Sequence, residues 1–340
     1  MHISYFITTS NNPLYNGKFS DGQSFLTFGQ HSFLYDLVLG FIDRGIKTSI
    51  YIDDLKAFPL HEVFSRMNIS CVKISMHKQY SADIIFFDSL SDEYLLNNVY
   101  NGLKIGIIHN YMIPSSDLFY KTSDKVLCMT PKAIEIQKKF YDQEGKYVLI
   151  RQGIYCNRFH CKRYDNKSIK EVLFYSRMDR HKGHCYREMI SIFLKLGIKV
   201  SMLGAGELFE QYKMEYKNDV RFIPHVPCYI INDIIHQYDL IISNGRGVME
   251  SLASNIPSIA AGVRYCGLIN RDNIILNRNA NFTGGYLPDI QLDLSKDIEQ
   301  VSLCFKTDSM YFRHLAINYL DVSMFIDSIL SKYYEYVYSR

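Results

Sequence analysis

Short β-branched or aromatic runs alternate along this chain with longer segments in which apolar residues return every three to four positions. That alternation predicts an α/β protein with parallel sheets. In the first half the predicted strands are ISYFIT (3–8), KTSIYI (47–52), CVKI (71–74), DIIFF (83–87), KIGII (104–108), KVLCM (125–129) and YVLI (147–150). Phe33, Leu34, Leu37, Val38, Phe41 and Ile42 fall on one face of a helix predicted over 31–44, with Gly45 as its stop. A second helix is predicted from Pro131 to Tyr141.

The second half repeats the pattern, with strands predicted at EVLFYS (171–176), KVSML (199–203), VRFI (220–223), LIIS (240–243), PSIAA (257–261) and NIIL (273–276). Between the two sets, residues 156–170 are polar and lack apolar periodicity, which makes them the expected linker. The chain therefore reads as two α/β domains, 1–163 and 164–318. A helical tail over 311–338 is expected to return to the first domain from residue 319 onward. At 340 residues, two domains is also what core size predicts.

Composition narrows the class without naming it. A hydrophobic content of 47% with 21% charged residues is that of a folded protein. The net charge of +3 is too small to imply nucleic-acid binding. Eight cysteines are scattered, several inside apolar runs, and no two are spaced C-x-x-C. This suits reduced, packed thiols in a cytoplasmic protein better than disulfides or a zinc site. The first residues carry no basic leader, and no apolar run reaches the roughly 18 residues that span a bilayer, so any membrane contact is expected to be peripheral.

Candidate chemistry gathers at the ends of the second set of strands, where ligands bind in open α/β sheets. YSRMDRHKG (175–183) follows the strand 171–176 and precedes a helix. Arg177 and Lys182 lie five residues apart, within reach of one anion, with Asp179, Arg180 and His181 expected as a solvent-facing spacer. After the strand LIIS comes Ser243-Asn244-Gly245-Arg246-Gly247-Val248-Met249-Glu250. Its glycines would let a ligand approach the backbone, and Glu250, expected in the first helical turn, suits two ribose hydroxyls. Gly204-Ala205-Gly206-Glu207 adds a Gly-rich turn at another strand end. Together these describe a pocket for a nucleoside diphosphate. No G-x-x-x-x-G-K-[ST] or G-x-G-x-x-G is present in support of a P-loop or nicotinamide enzyme.

These segments resemble glycosyltransferase family 4 and its GT-B relatives. RMDRHKG is similar to their R-L-D-x-x-K-G, and DLIISNGRGVMESLASNIPSIAAG to their donor segment. VRFIPHVP resembles their v-x-F-x-G-x-v-p, which lies beside the base and includes Val226 here. In the first half IGIIHNYMIP looks like their strand-His-loop. DKVLCMTPKAIEIQKKF and VLIRQGIYCNRF are similar to two further segments, and the matches run in order from about residue 26 to 270. The resemblance implies a GT-B fold: two Rossmann-like parallel-sheet domains facing a cleft, with a C-terminal helix packing back across both. It also implies a glycosyltransferase using a nucleotide-sugar donor and a glycan or lipid-linked acceptor, in bacterial surface polysaccharide synthesis at the cytoplasmic side.

By the same resemblance Arg177 and Lys182 hold the donor diphosphate and stabilise it as it leaves. Gly204, Gly206, Val226, Gly245, Arg246, Gly247, Val248 and Glu250 line the donor, and Gly29 lets its backbone approach it. His109 matches the family histidine at the donor sugar. His31, in FGQHSF, resembles the histidine that deprotonates the acceptor in inverting enzymes; as a residue it reads equally well as a polar start to a helix. This chemistry implies no metal and no cofactor, and Asp53-Asp54 is read as a strand end rather than a metal-binding pair. Ile242 stands where retaining members carry an earlier glutamate, and the segment is closer to the inverting peptidoglycan type. The stereochemistry is left open. So are a nucleotide-sugar epimerase and a degenerate binding protein on the same fold. Seven basic residues over 121–151 (Lys121, Lys125, Lys132, Lys138, Lys139, Lys146 and Arg151) against four acidic ones favour an anionic membrane surface or a solvated face about equally.

Overall fold

All seven strands predicted in the first half form, and they line up as one parallel sheet. In this computed structural model, which describes residues 1–8, 29–88, 90–109, 116–163, 168–179, 182–285 and 287–339, they are β1 (His2–Ile7), β2 (Lys47–Ile52), β3 (Ser70–Lys73), β4 (Gln79–Asp88), β5 (Val99–Ile108), β6 (Lys125–Cys128) and β7 (Tyr147–Leu149). The order β3-β2-β1-β4-β5-β6-β7 reverses between β1 and β4. Such a reversal opens a crevice at the carboxyl ends of the two strands.

The helix Gly29–Asp43 follows β1 and ends as expected at Gly45, whose φ of +64° supplies the left-handed stop. It packs on the C-terminal helix Val322–Tyr338. A Cβ on Gly40 would come within 2.6 Å of Ile326 Cδ1, so the absent side chain sets the closeness of the two helices. Phe33 meets Phe325 edge-on at 5.2 Å, and Arg44 pairs with Asp327 at 2.6 Å.

The second unit holds a sheet ordered β10-β9-β8-β11-β12-β13. Its strands are β8 (Glu171–Arg177), β9 (Lys199–Ala205), β10 (Val220–Pro224), β11 (Leu240–Ser243), β12 (Ser258–Ala261) and β13 (Tyr265–Leu268). All pairings are parallel except β12 with β13. The order reverses between β8 and β11, so this sheet has its own switch point.

The structure corrects two elements. NIIL (273–276) is no strand: it begins the helix Ile274–Asn279, with Ile274 and Asn277 buried while Ile275 and Leu276 are exposed. The last strand is instead Tyr265–Leu268, a short antiparallel edge without β-branched residues, which left no periodicity to read. The helical tail is likewise two helices, Tyr311–Leu320 and Val322–Tyr338, broken at Asp321 with ψ of 140°.

By contacts the chain divides into Met1–Gly153 with Val322–Arg340, and Ile154–Asp321. The division falls ahead of the polar stretch 156–170, because Ile154, Cys156 and Phe159 are buried in the second unit's core. The Cys156 amide also donates to the Asp321 carboxylate at 3.4 Å, within that unit. All eight cysteines are free thiols.

Candidate functional site

Two clusters of polar side chains stand at carboxyl ends of strands, one in each unit. In the second unit the foundation is the loop after β8. Ser176 and Met178 are buried, and the Met178 amide donates to the Ala205 carbonyl at 2.9 Å while its own carbonyl accepts from Leu208 at 3.1 Å. A Cβ on Gly206 (φ +120°) would fall 2.3 Å from the Met178 carbonyl oxygen, and one on Gly204 2.0 Å from that of Ser176. The two glycines thus let the end of β9 press on the loop; the space a side chain would need is filled by protein. Two tyrosines bolt the far side. Tyr212 donates to the Gly183 carbonyl at 2.8 Å, and Tyr186 donates to the Ala261 carbonyl at 2.9 Å with Ser176 Oγ at 3.1 Å.

On this fixed loop Arg177 is exposed, its Nε donating to Asp179 at 3.1 Å. Asp179 is therefore half-buried and paired rather than the solvent-facing spacer the sequence suggested; Arg180 and His181 lie outside the described residues. Lys182 is half-buried. Its ammonium pKa is pushed down by desolvation and then by the Arg177 charge, with Asp179 pulling the other way. Arg177 and Lys182 are thus close enough to repel, which an anion bound to both would relieve.

Across the switch point, Gly245 (φ +55°) caps the helix Arg246–Ala253 that follows β11. A Cβ on Gly247 would meet Ser243 Oγ at 2.0 Å and the Tyr175 ring at 2.9 Å, so this glycine seats the helix against the strand ends. Arg246 and Val248 are buried, which leaves Val248 only its backbone amide to offer a ligand. Val226, just past β10, is half-buried against the core.

Glu250 is the fifth residue of its helix, on the second turn and not the first, and is 1% exposed. Its carboxylate accepts from Arg158 at 3.5 Å and hydrogen-bonds the Tyr175 phenol, whose pKa is raised well above the ordinary range by burial and by that negative charge. Arg158 also donates to the Cys228 carbonyl at 3.0 Å and lies 4.0 Å over the Phe159 ring. It ties the segment after β10 to Glu250. Arg158 and Tyr175 carried no sequence signal, since one fell in the supposed linker and the other read as strand.

In the first unit the focus is Asp88, the last residue of β4, which carries no sequence signal beyond a polar strand end. It is fully buried, and three donors converge on it: the Tyr5 hydroxyl, Gln30 Nε2 at 2.7 Å and His109 Nε2 at 2.9 Å. A buried carboxylate accepting at Nε2 holds that nitrogen protonated and makes Nδ1 the acceptor of the neutral ring. His109, one residue past β5, is also fixed by the edge of Phe33 at 5.4 Å. The sequence places Gly29 at the donor; it is the exposed first residue of its helix.

His31 is fully buried two residues into the same helix, with its ring 5.9 Å from Phe58. Desolvation lowers its pKa from 6.5 to about 4, against the pull of Asp88 and with His109 adding to the drop. Because the folded pKa lies below the unfolded one, the unfolded chain takes the proton first. Stability is full above pH 6.5 and falls as the pH drops towards 4. Between pH 7 and 5 the wild type is expected to lose about 2 kcal/mol more than a His31→Gln variant, measured by urea unfolding. Equal losses in both would show that His31 titrates normally.

Asp53 and Asp54 are taken up by local turns: Asp54 N donates to Asp53 at 2.9 Å and Lys56 N to Asp54 at 2.9 Å. No group of three His, Cys, Asp or Glu residues suited to a metal assembles among the described residues. No described helix is long and apolar enough to cross a membrane. Within 121–151, Lys121 pairs with Asp117, Lys132 and Lys139 pair with Glu135, and Lys125 and Lys146 donate to backbone carbonyls.

No known family model matches the chain, and no curated protein matches its sequence. Solved structures do match its fold along nearly the whole length. The Anabaena protein HepE, in complex with UDP and glucose, is 13% identical with a TM-score of 0.59, covering 98% of this chain and 99% of that one. AviGT4, a glycosyltransferase involved in avilamycin A biosynthesis, is 11% identical with a TM-score of 0.60, covering 100% and 98%. Sucrose-phosphate synthase from Thermosynechococcus elongatus is 10% identical with a TM-score of 0.56, covering 100% of both chains. The chain therefore has the GT-B fold, its two mostly parallel sheets matching those of known GT-B glycosyltransferases.

Proposed function

We propose that this protein is a glycosyltransferase that moves a sugar from a nucleoside-diphosphate donor to a glycan or lipid-linked acceptor. The observation that carries the reading is the Arg177–Lys182 pair at the switch point of the second sheet, mounted on a loop held by Tyr186, Tyr212 and the end of β9. The departing diphosphate gains negative charge, and cations fixed in advance typically contribute several kcal/mol to such a transition state. The amides at the start of the helix Arg246–Ala253 suit a phosphate. Glu250 is assigned to the ribose, with Arg158 and Tyr175 orienting its carboxylate, and Val226 to the base. His109 is assigned to the donor sugar; the acceptor role that the resemblance gives His31 is not carried over, because its side chain is fully buried.

HepE, a protein of the same fold, is known with UDP and glucose, which makes UDP the first nucleotide to test. The names of the fold's other members point to different products, so the fold leaves the acceptor open. A role in bacterial surface polysaccharide synthesis on the cytoplasmic side, without a metal, rests on the sequence resemblance alone. Exposed Phe140 beside Lys138 and Lys139 is the feature that would favour contact with an anionic membrane.

The test is UDP release from a panel of UDP-sugars, with and without oligosaccharide acceptors and with EDTA throughout, followed by anomeric NMR of the product. Acceptor-dependent release is expected. Epimer formation without acceptor would assign the site to an epimerase, and failure of every nucleoside diphosphate to bind would remove the reading altogether.

A further inference from the structure

At the opposite end of the first sheet, away from Asp88, lies a shallow, open basin of about 480 Å³. It is built by an irregularity in pairing. Ser81 faces Asn101 and Ile84 faces Leu103, so Ala82 and Asp83 on β4 stand opposite the single Gly102 on β5. Gly102 has φ +140°, and a Cβ there would lie 2.0 Å from the Ala82 carbonyl oxygen, so only glycine allows this bulge. Bulges re-aim side chains. Here Asp83 lines the basin, accepting from the His2 amide at 2.7 Å and the Tyr333 hydroxyl at 3.0 Å. Tyr336, three residues on along the C-terminal helix, reaches over to the Gly102 carbonyl at 3.4 Å.

Two phenol rings with anchored hydroxyls thus line a basin that also holds a carboxylate, the Asn101 amide and the His2 imidazole. Beside it, Tyr334 and Tyr338 are exposed on the same helix and stacked, with centroids 6.5 Å apart. Burial, Lys47 and the N-terminal amine favour the neutral imidazole of His2 against the pull of Asp83, and Lys332 is paired with Glu335 at 2.7 Å. The basin therefore offers ring faces and fixed hydrogen-bonding groups, and its lining holds a carboxylate but no lysine or arginine, which suits a neutral, hydroxyl-rich ring better than a phosphate or an anionic lipid.

We propose that this basin is a second saccharide site, distinct from the donor site, that holds a distal sugar unit of an oligosaccharide. The choice of a glycan over other polyhydroxylated ligands rests on the transferase reading. The test is saturation-transfer NMR on the full chain with maltohexaose and chitohexaose, run beside the UDP-induced melting shift.

Saturation of sugar protons is expected in the wild type, with affinity reduced at least about tenfold, or 1.4 kcal/mol, in Tyr336→Ala and in Asn101→Ala. The second change is exposed and leaves the helix intact. The UDP shift is expected unchanged in both. No transfer to either sugar, or transfer undiminished in both variants, overturns the site. So does binding to phosphatidylglycerol vesicles that the same variants abolish while sugar binding is absent. Loss of the UDP shift in the wild type, with sugar binding intact, would instead count against the donor reading and leave this site standing.

Discussion

Lys182→Ala is expected to lose the melting shift that UDP gives the wild-type protein, and to transfer sugar about 10² to 10³ times more slowly, as when one fixed electrostatic contact to a transition state is removed. Arg177→Ala is expected to act similarly but less strongly, since Arg177 is exposed and already engaged by Asp179, whereas Lys182 is more buried. The pH dependence has a definite sign. In the free protein the Lys182 pKa is lowered by burial and by Arg177, and a bound diphosphate supplies the opposite charge and raises it. Binding therefore takes up protons, and affinity is full below the free-state pKa and falls as the pH rises through it. Calorimetry in buffers of different ionisation enthalpy reads that uptake directly. A UDP shift that survives removal of both cations would place the diphosphate elsewhere.

The second large effect is expected at Asp88. Asp88→Asn keeps the volume but removes the charge that holds His109 with its proton on Nε2. A loss of about 10- to 100-fold in activity is expected, the size seen when a carboxylate that orients a metal-bound histidine is removed. The fall is expected in kcat, with the UDP shift unchanged because Arg177 and Lys182, the proposed diphosphate cations, belong to the other unit. His109→Gln is expected to show the same kcat loss, and the double variant little more than either single one, since the two side chains act as one device. Unfolding curves for each variant separate this from damage to the fold, as the Tyr5 and Gln30 donors also depend on Asp88. Additive losses in the double variant would show that the two residues act independently.

Much of the second unit's candidate site is legible in sequence because its residues are local. Arg177, Lys182, Gly245 and Glu250 lie on two short segments, each between an apolar strand and an amphipathic helix, and the strand ends say where ligands bind. What escaped the sequence is pairing across the chain. Asp88 looked like the polar end of a strand, and only the adjacency of β1, β4 and β5 brings Tyr5 and His109 to it. Arg158 is 92 residues from Glu250, so no spacing rule joins them. Glu250 itself was placed one helical turn too early, because Gly245 caps the helix where the sequence offered no side-chain cap. NIIL resembles a strand for a different reason. A four-residue apolar run has no periodicity, and its helix is fixed by what buries Ile274 and Asn277.

The break at Asp321 also sets an order of events during synthesis. The helix that completes the first unit leaves the ribosome only after the whole second unit has been translated. At typical elongation rates the sheet β1–β7 waits roughly 10 to 40 s with the flank of Gly29–Asp43 uncovered around Gly40. The second unit, contiguous in sequence, has no such wait. In this protein the later half of the chain is therefore expected to reach its native state first, with the amino-terminal half closing behind it.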